Sequence, residues 1–368
     1  MEKARIVVLG KLPPPYMGTA VWFDTLRHSS LTGLYDIQWF NVNVHSGFPT
    51  MGKGSFSKIW PNIRLYFQFK QLLLKFKPHL VLIPFSQTTI GFLKDSIFIR
   101  MAKRCAKTLV MLHGSNLETW LANAAPGVRI YFSSTMKDCC GAVVLGKKLQ
   151  FLFHEWFPED KIFVVQNGLK SEMPNIKKAC SDRVILRFLS NLSSDKGIRD
   201  VISAMDFFSN SKGMLELKIN GTWLEKDTEQ WCLQKVRSGN LPVIYEGPKL
   251  GKEKAGALIN SDIFIFTPNA PEGHPLVIIE AMAAGLPIIT TDQGAITESV
   301  IDGVNGFIVK PNCPEEIAGK IRFLLDHPQE RARMGKESRR LYEENFTEEK
   351  MMARLKLVFD TVLIRKQV

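Results

Sequence analysis

Two carboxylates, Glu272 and Glu280, stand eight positions apart in the stretch Pro271–Gly285, which reads P-E-G-H-P-L-V-I-I-E-A-M-A-A-G. Pro275 sits where a helix begins and Gly285 where it ends, which predicts Glu272 in a loop and Glu280 two turns into a helix. Were the whole span helical, the two would be separated by about 12 Å of rise. Even shortened by a loop, that spacing does not let them crowd one proton or one metal; it suits contact with two parts of one extended ligand. Between them, the N–H groups around Gly273, His274, Pro275, Leu276 and Val277 stand at a helix N-terminus, which suits a phosphate. Carboxylate, phosphate cradle, carboxylate is the layout expected for a sugar joined to a nucleoside through a diphosphate.

Further candidates lie at strand ends. Phe188–Gly197, F-L-S-N-L-S-S-D-K-G, runs from a strand end to a helix start and brings Lys196 to a place suited to a phosphate, although a solvated surface lysine is the commoner fate. The run G-K-L-P-P-P-Y-M-G-T-A ends with Gly18 and Thr19 opening a helix. A glycine there lets backbone amides approach a phosphate, and a turn with a Thr cap explains it equally well. His113-Gly114-Ser115 follows the apolar run Leu109–Leu112; this histidine either faces a cleft or is a structural residue bonded to backbone. The dinucleotide fingerprint G-x-G-x-x-G is absent, against a dehydrogenase. D-x-D and His/Cys/Asp clusters with metal-ligand spacing are absent too, and no serine or cysteine nucleophile is signalled.

The elements that must position these residues alternate along the chain. Strands are expected at Ile6–Leu9, Ile37–Phe40, Leu80–Pro84, Leu109–Leu112, Gly141–Leu145 and Ile162–Val165. After the Asn167-Gly168 turn and a polar stretch, Ser171–Asp182, they resume at Val184–Leu189, Leu215–Ile219, Val243–Tyr245, Asp262–Phe266, Ile288–Thr290 and Phe307–Val309. Helical patterns lie near Thr19–Ser29, Ile63–Phe76, Ile90–Arg104 and Lys147–Phe157, and a last helix over Thr347–Ile364. Short apolar strands separated by helices imply parallel sheets covered on both faces, and the restart implies two α/β domains of this kind. The boundaries read 1–170, 171–346 and a C-terminal helix, 347–368.

The chain has 368 residues, 45% of them hydrophobic and 23% charged, as in a soluble globular protein with room for two full cores. No signal-peptide pattern and no apolar run near the roughly 20 residues of a spanning helix occurs. Six cysteines without a CxxC pair read as reduced thiols, so a cytoplasmic location is expected. The net charge of +12 belongs to the first half: residues 1–170 hold 21 Lys+Arg against 9 Asp+Glu, and residues 171–368 hold 27 of each. Such a half faces nucleic acid, an anionic membrane surface or an acidic substrate.

Over nearly its whole length the sequence resembles glycosyltransferase family 4, retaining sugar transferases of group 1 with the two-Rossmann GT-B architecture. The likeness is strongest over Ser261–Pro311, where S-D-I-F-I-F-T-P, P-E-G-H-P-L-V-I-I-E-A-M-A-A-G-L-P-I-I-T-T and G-A-I-T-E-S-V-I-D-G-V-N-G-F-I-V-K-P keep the family's order and spacing. The resemblance implies two Rossmann-like domains facing across a cleft, with the last helix packing back on the first. It also implies a metal-independent reaction needing no cofactor, with a nucleotide-sugar donor held by the second domain. By the same resemblance Glu280 binds ribose hydroxyls, Glu272 the donor sugar, the amides of His274–Val277 the distal phosphate, and Lys196 the diphosphate. Gly18 matches the N-terminal loop glycine and His113 the first-domain histidine near the donor sugar. Where the family commonly has a glycine-arginine pair, this chain has Ser190-Asn191; Asn191 is kept as a weaker phosphate contact, since Arg187 lies about 13 Å back along the strand.

The basic half then acquires a purpose. Lys53, Lys58, Arg64, Lys70, Lys75 and Lys77 are interleaved with Trp60, Leu65, Tyr66, Phe67, Phe69, Leu72, Leu73, Leu74 and Phe76, a composition suited to a helix lying on an anionic membrane. Arg100, Lys103, Arg104 and Lys107 are expected to share that face, and an ordinary helix with a solvated basic side is the alternative. Residues 53–107 would bring the protein to the cytoplasmic leaflet, to a lipid-linked or cell-surface glycan acceptor. A nucleotide-sugar epimerase on a similar scaffold and a basic nucleic-acid-binding protein are the competing classes; no nucleic-acid recognition motif is present.

Overall fold

The computed structural model describes residues 2–13, 18–43, 59–170, 183–211 and 213–365, the side chains of 59–62 excepted. The polar stretch 171–182, Lys53 and Lys58 therefore lie outside the described residues. The chain forms two compact units. One runs to Asn167 and takes up the chain again from Glu348; the other is Gly168–Thr347.

In the first unit, strands β1 (Arg5–Gly10), β2 (Asp36–Asn41), β3 (Leu80–Pro84), β4 (Lys107–Met111), β5 (Gly141–Val144) and β6 (Ile162–Val164) form a parallel sheet in the order β2-β1-β3-β4-β5-β6. In the second, β7 (Val184–Leu189), β8 (Leu215–Asn220), β9 (Val243–Tyr245), β10 (Ile263–Phe266), β11 (Ile288–Thr291) and β12 (Gly306–Val309) form another, in the order β12-β11-β10-β7-β8-β9. Each expected strand falls on one of these. The reason is the burial of central strands on both faces: Leu80–Leu82 and Ile263–Ile265 are wholly inaccessible, so apolar residues run continuously instead of alternating. The expected helix Lys147–Phe157 is instead a 3₁₀ run, Lys147–Phe153, whose buried Leu149 and Leu152 fall three residues apart, the period of the tighter helix.

The last helix, Glu348–Ile364, packs on the first unit, as expected. Its buried residues Met351, Met352, Leu355, Val358, Phe359 and Val362 form one apolar stripe. Tyr35 donates its hydroxyl to Asp360 at 2.5 Å and packs its ring 5.7 Å from Phe359. Lys107 Nζ donates to the carbonyls of Val362 (2.9 Å), Leu363 (2.8 Å) and Arg365 (2.5 Å), closing the helix C-terminus with a positive charge. The expected second basic group is corrected by these contacts. Lys107 caps a helix, Lys103 donates to the carbonyls of Thr135 and Lys137, and Arg100 bonds Ser134 and Thr135 while stacking on Tyr131. These cations serve internal contacts; only Arg104 of the four stays exposed without such a bond.

Replacing Lys107 with alanine is expected to lower stability by about 1–2 kcal/mol, by uncapping the helix. Hydrogen exchange should rise over 348–365 and stay unchanged in 168–347; an unaltered terminal helix would refute the capping role.

Candidate active site

The second sheet reverses its order at β7, which pairs with β8 on one side and β10 on the other. In open α/β sheets ligands bind beyond the carboxyl ends of the strands at such a switch point. Lys196 follows β7 and Glu272 follows β10, so the topology brings together two residues 76 positions apart. Two glycines permit the approach. Gly197 has φ +79°, and a Cβ there would lie 1.9 Å from the carbonyl oxygen of Thr267. Gly294 has φ +56°, and a Cβ there would lie 1.7 Å from the carbonyl oxygen of Glu272. Any side chain at either position would push these loops apart. Hydrogen bonds then fix the loop after β7: Ser194 N donates to Glu225 Oε2 (2.9 Å), Asn269 N to the carbonyl of Asp195 (3.0 Å), and the Ser193 hydroxyl to the Asp195 carboxylate. On the other side Ala295 N donates to the carbonyl of Gly273 at 2.8 Å.

Two lysine–glutamate pairs result. Lys196 Nζ lies 2.5 Å from Glu272 Oε1 and 3.5 Å from Asp195 Oδ2. Burial penalises the lysine's charge, but the Glu272 and Asp195 carboxylates more than offset this, and its pKa rises above the ordinary lysine value. For Glu272 burial outweighs the attraction of Lys196, and its carboxyl titrates above the ordinary range. The second pair joins Lys254, on the helix Gly251–Ile259, to both oxygens of Glu280, at 2.6 and 2.5 Å.

Between the carboxylates begins the helix Leu276–Ala283, with Pro275 extended before it (φ −65°, ψ 125°) and Gly285 just past its end at φ +70°. Ile278 N bonds the Pro275 carbonyl, and the amides of Leu276 and Val277 have no partner among the described residues. Pro275 has no N–H, so of the expected phosphate segment it only orients the turn. The His274 ring is buried, with Nε2 2.5 Å from Ser299 Oγ and its face against Phe346. Its side chain is therefore occupied within the second unit.

Asn191 is exposed and has no hydrogen-bond partner among the described residues. Arg187 is buried and bonds Ser261 (3.0 Å), Asn220 (2.6 Å) and Glu246 (2.8 Å), tying the ends of β7, β8 and β9 together. It thus serves the sheet. Although burial opposes it, the Arg187 contact, with Lys249 and Lys218, pulls the Glu246 carboxyl down to about 2.

In the first unit Gly18 opens the helix Gly18–Arg27, and residues 14–17 before it lie outside the described residues. His113, just past β4, is wedged edge-on against Trp22 (5.3 Å between ring centroids) and Phe23 (5.5 Å). Part of the residue reaches the surface, but ring atom Nε2 does not and has no hydrogen-bond partner among the described residues. Desolvation pushes its pKa down to about 4, which leaves a neutral imidazole at pH 7. Trp22 Nε1, Gln87 Oε1 and Ser115 Oγ are likewise occluded without partners among the described residues. Among the described residues no group of three His, Cys, Asp or Glu side chains could hold a metal ion.

Comparison with known proteins agrees with this fold. The family model described as glycosyl transferases group 1 matches residues 170–341. An uncharacterized glycosyltransferase of Methanocaldococcus jannaschii is 31% identical over 253 residues, 68% of each chain, and a second from that organism is 27% identical over 295 residues, 76% of this chain and 73% of the other. The solved structure of Anabaena HepE in complex with UDP and glucose superposes with a TM-score of 0.73 at 16% identity, covering 97% of this chain and 100% of the other. The chain belongs to the group 1 glycosyl transferases and is a glycosyltransferase of the GT-B fold.

Lys254, Glu225 and Gly294 were not visible as site residues in the sequence. Each acts through a partner 22–31 positions away, so no local pattern marks it.

Lys254→Met leaves Glu280 without its counter-charge, and denaturant melts should show a loss of about 1–2 kcal/mol, restored largely by Lys254→Arg. No loss would mean that the pair is incidental. For His113 the sign runs with pH: its folded pKa of about 4 lies below the ordinary value, so the unfolded chain binds the extra proton first. Stability should fall as pH drops from about 6.5 towards 4, and His113→Gln should flatten that part of the profile.

Proposed function

We propose that this glycosyltransferase takes its sugar from a nucleoside-diphosphate sugar and transfers it with retention of configuration. It does so without a metal, to a lipid-linked or cell-surface glycan at the cytoplasmic face of the membrane. The observation that carries the donor assignment is the pair of lysine–glutamate contacts on either side of two unpartnered helix amides. The solved Anabaena protein of the same fold is in complex with UDP and glucose, and the reading carries that class of donor over.

In this reading Glu280 accepts from the ribose hydroxyls and Glu272 from the donor sugar. The amides of Leu276 and Val277, with the backbone of Gly273 and His274, meet the distal phosphate, and Lys196 meets the diphosphate. Lys196 carries three N–H donors, so it can keep Glu272 and still bond phosphate oxygens. Because its pKa is raised, it stays charged at neutral pH. Asn191 adds an uncharged contact, and Gly18 and neutral His113 serve the sugar-side of the donor.

The reaction breaks the bond between the sugar C1 and the phosphate oxygen and forms one from C1 to an acceptor hydroxyl on the same face. Negative charge gathers on the departing diphosphate while the sugar becomes oxocarbenium-like. Lys196 and the helix amides stabilise that charge, being already oriented towards it. The acceptor proton passes to the leaving phosphate oxygen. Glu272 and Glu280 bracket the ligand along its length, which is not the across-the-bond arrangement of glycosidase carboxylates.

A thermal-shift panel of nucleoside diphosphates and their sugars tests the reading. One of them at about a hundredfold excess over its Kd should add about 2.7 kcal/mol of stability, and Glu280→Ala should lose most of that gain. Transfer assayed with that donor should be unchanged in EDTA. A protein indifferent to every nucleotide would refute the donor assignment, and loss of transfer in EDTA the metal-free mechanism.

A further inference from the structure

The helix Ile59–Phe76 buries one side and leaves another bare in an ordered way. Phe69 and Leu73 point into the core, whereas Ile63, Phe67 and Leu74 are 51–63% exposed. At 100° per residue these three fall within about 40° of one another, a single outward stripe. Lys70 borders it on one side and Arg64 and Lys75 on the other, all three exposed, and Lys77, just past the helix end, is exposed too. The helix contains no acidic residue.

The next helix, Thr89–Ala102, extends the apolar surface. Its Ile90, Leu93 and Ile97 are exposed and lie one turn apart, with Ile90 the most exposed at 82%. Sheet order β2-β1-β3-β4 carries both connections in the same direction, so right-handed crossovers set both helices on one face of the sheet. They touch there: Tyr66 and Phe98 rings are 4.9 Å apart, and the Tyr66 hydroxyl donates to the Lys94 carbonyl at 3.2 Å. The one acid on this second helix, Asp95, is turned inward to accept from Ser86 N and Oγ. The two helices therefore present six large apolar side chains, bordered by cations and free of exposed acid.

From this we propose that the outer face of these two helices docks on an anionic lipid surface, with Phe67 and Leu74 entering the headgroup region and Arg64, Lys70, Lys75 and Lys77 contacting lipid phosphates. Aliphatic residues flanked on both sides by basic ones suit a bilayer interface, where the stems lie along the apolar boundary and the charged heads reach phosphate. A nucleic acid would meet the charges but leave the apolar stripe uncovered. Docking deepens the proposed use of a lipid-linked acceptor, yet it is measured without any donor or acceptor.

Sedimentation of the full chain with vesicles tests it. Wild type should pellet with vesicles containing phosphatidylglycerol and not with pure phosphatidylcholine. The doubles Phe67→Asp/Leu74→Asp and Lys70→Glu/Lys75→Glu should each weaken binding by about tenfold or more, with melting midpoints near that of wild type. Leu357→Asp, at an equally exposed position of the terminal helix, should bind normally. Stabilisation by the donor nucleotide should be unchanged in both doubles, so failure of docking is distinguishable from failure of the donor assignment. Equal binding to neutral vesicles, or none to either, overturns the proposal. So does loss in the lysine double alone, which would mean binding by charge without insertion, as for a nucleic acid.

Discussion

The candidate site depends on one close approach, that of the loop after β7 to the loop after β10. Where Gly197 meets the carbonyl of Thr267 there is no room for a Cβ, and Lys196 and Glu272 meet because those backbones do. A half-buried pair of this kind is a poor investment in stability, since removing two charges from water costs about what their attraction returns. Its value is in placement. A carboxylate that must flank a diphosphate would repel it if left unbalanced. Here each of the two is matched by a lysine, Glu272 by Lys196 and Glu280 by Lys254, so in the proposed donor complex both would accept from hydroxyls without presenting bare negative charge to the phosphates.

The scaffold was legible because its strands obey a purely local rule. A strand buried on both faces is a short apolar run between turns, and Leu80–Pro84 and Ile263–Phe266, too short for a core helix, follow that rule. The start of the Leu276–Ala283 helix was legible for a similar reason, proline before it and glycine after it. What stayed hidden is what the tertiary fold creates. Lys254 looks like any lysine in G-K-E-K-A-G until the helix carrying it is set beside Glu280. Gly294 is one glycine among 26, and its necessity comes from the carbonyl of Glu272 pressed against it. His274 is a similar case: no local pattern marks the inward turn of its ring to Ser299, 25 positions away.

The basic excess of the first half teaches a related lesson about counting charges. Net charge adds Lys107 and Lys70 alike, yet one closes a helix with three carbonyl contacts and the other stands in solvent. What distinguishes them is neighbourhood. Lys107 begins β4, beside the end of the last helix, whereas Lys70 borders an apolar stripe on a helix without acids. A field strong enough to matter outside the protein comes only from cations of the second kind.

The two titratable groups at the strand ends meet the same burial penalty and end in opposite charge states. Burial disfavours charge on both His113 and Lys196. Lys196 has Glu272 and Asp195 beside it and stays cationic; His113 has only the rings of Trp22 and Phe23 and becomes neutral. In the proposed reaction this difference has a consequence. A leaving diphosphate needs positive charge, which Lys196 supplies, while a sugar gaining oxocarbenium character would be penalised by a second cation at its side. His113, held neutral by burial, adds no such cation. The pattern of partners, more than the residue types, thus sets the charge each group carries.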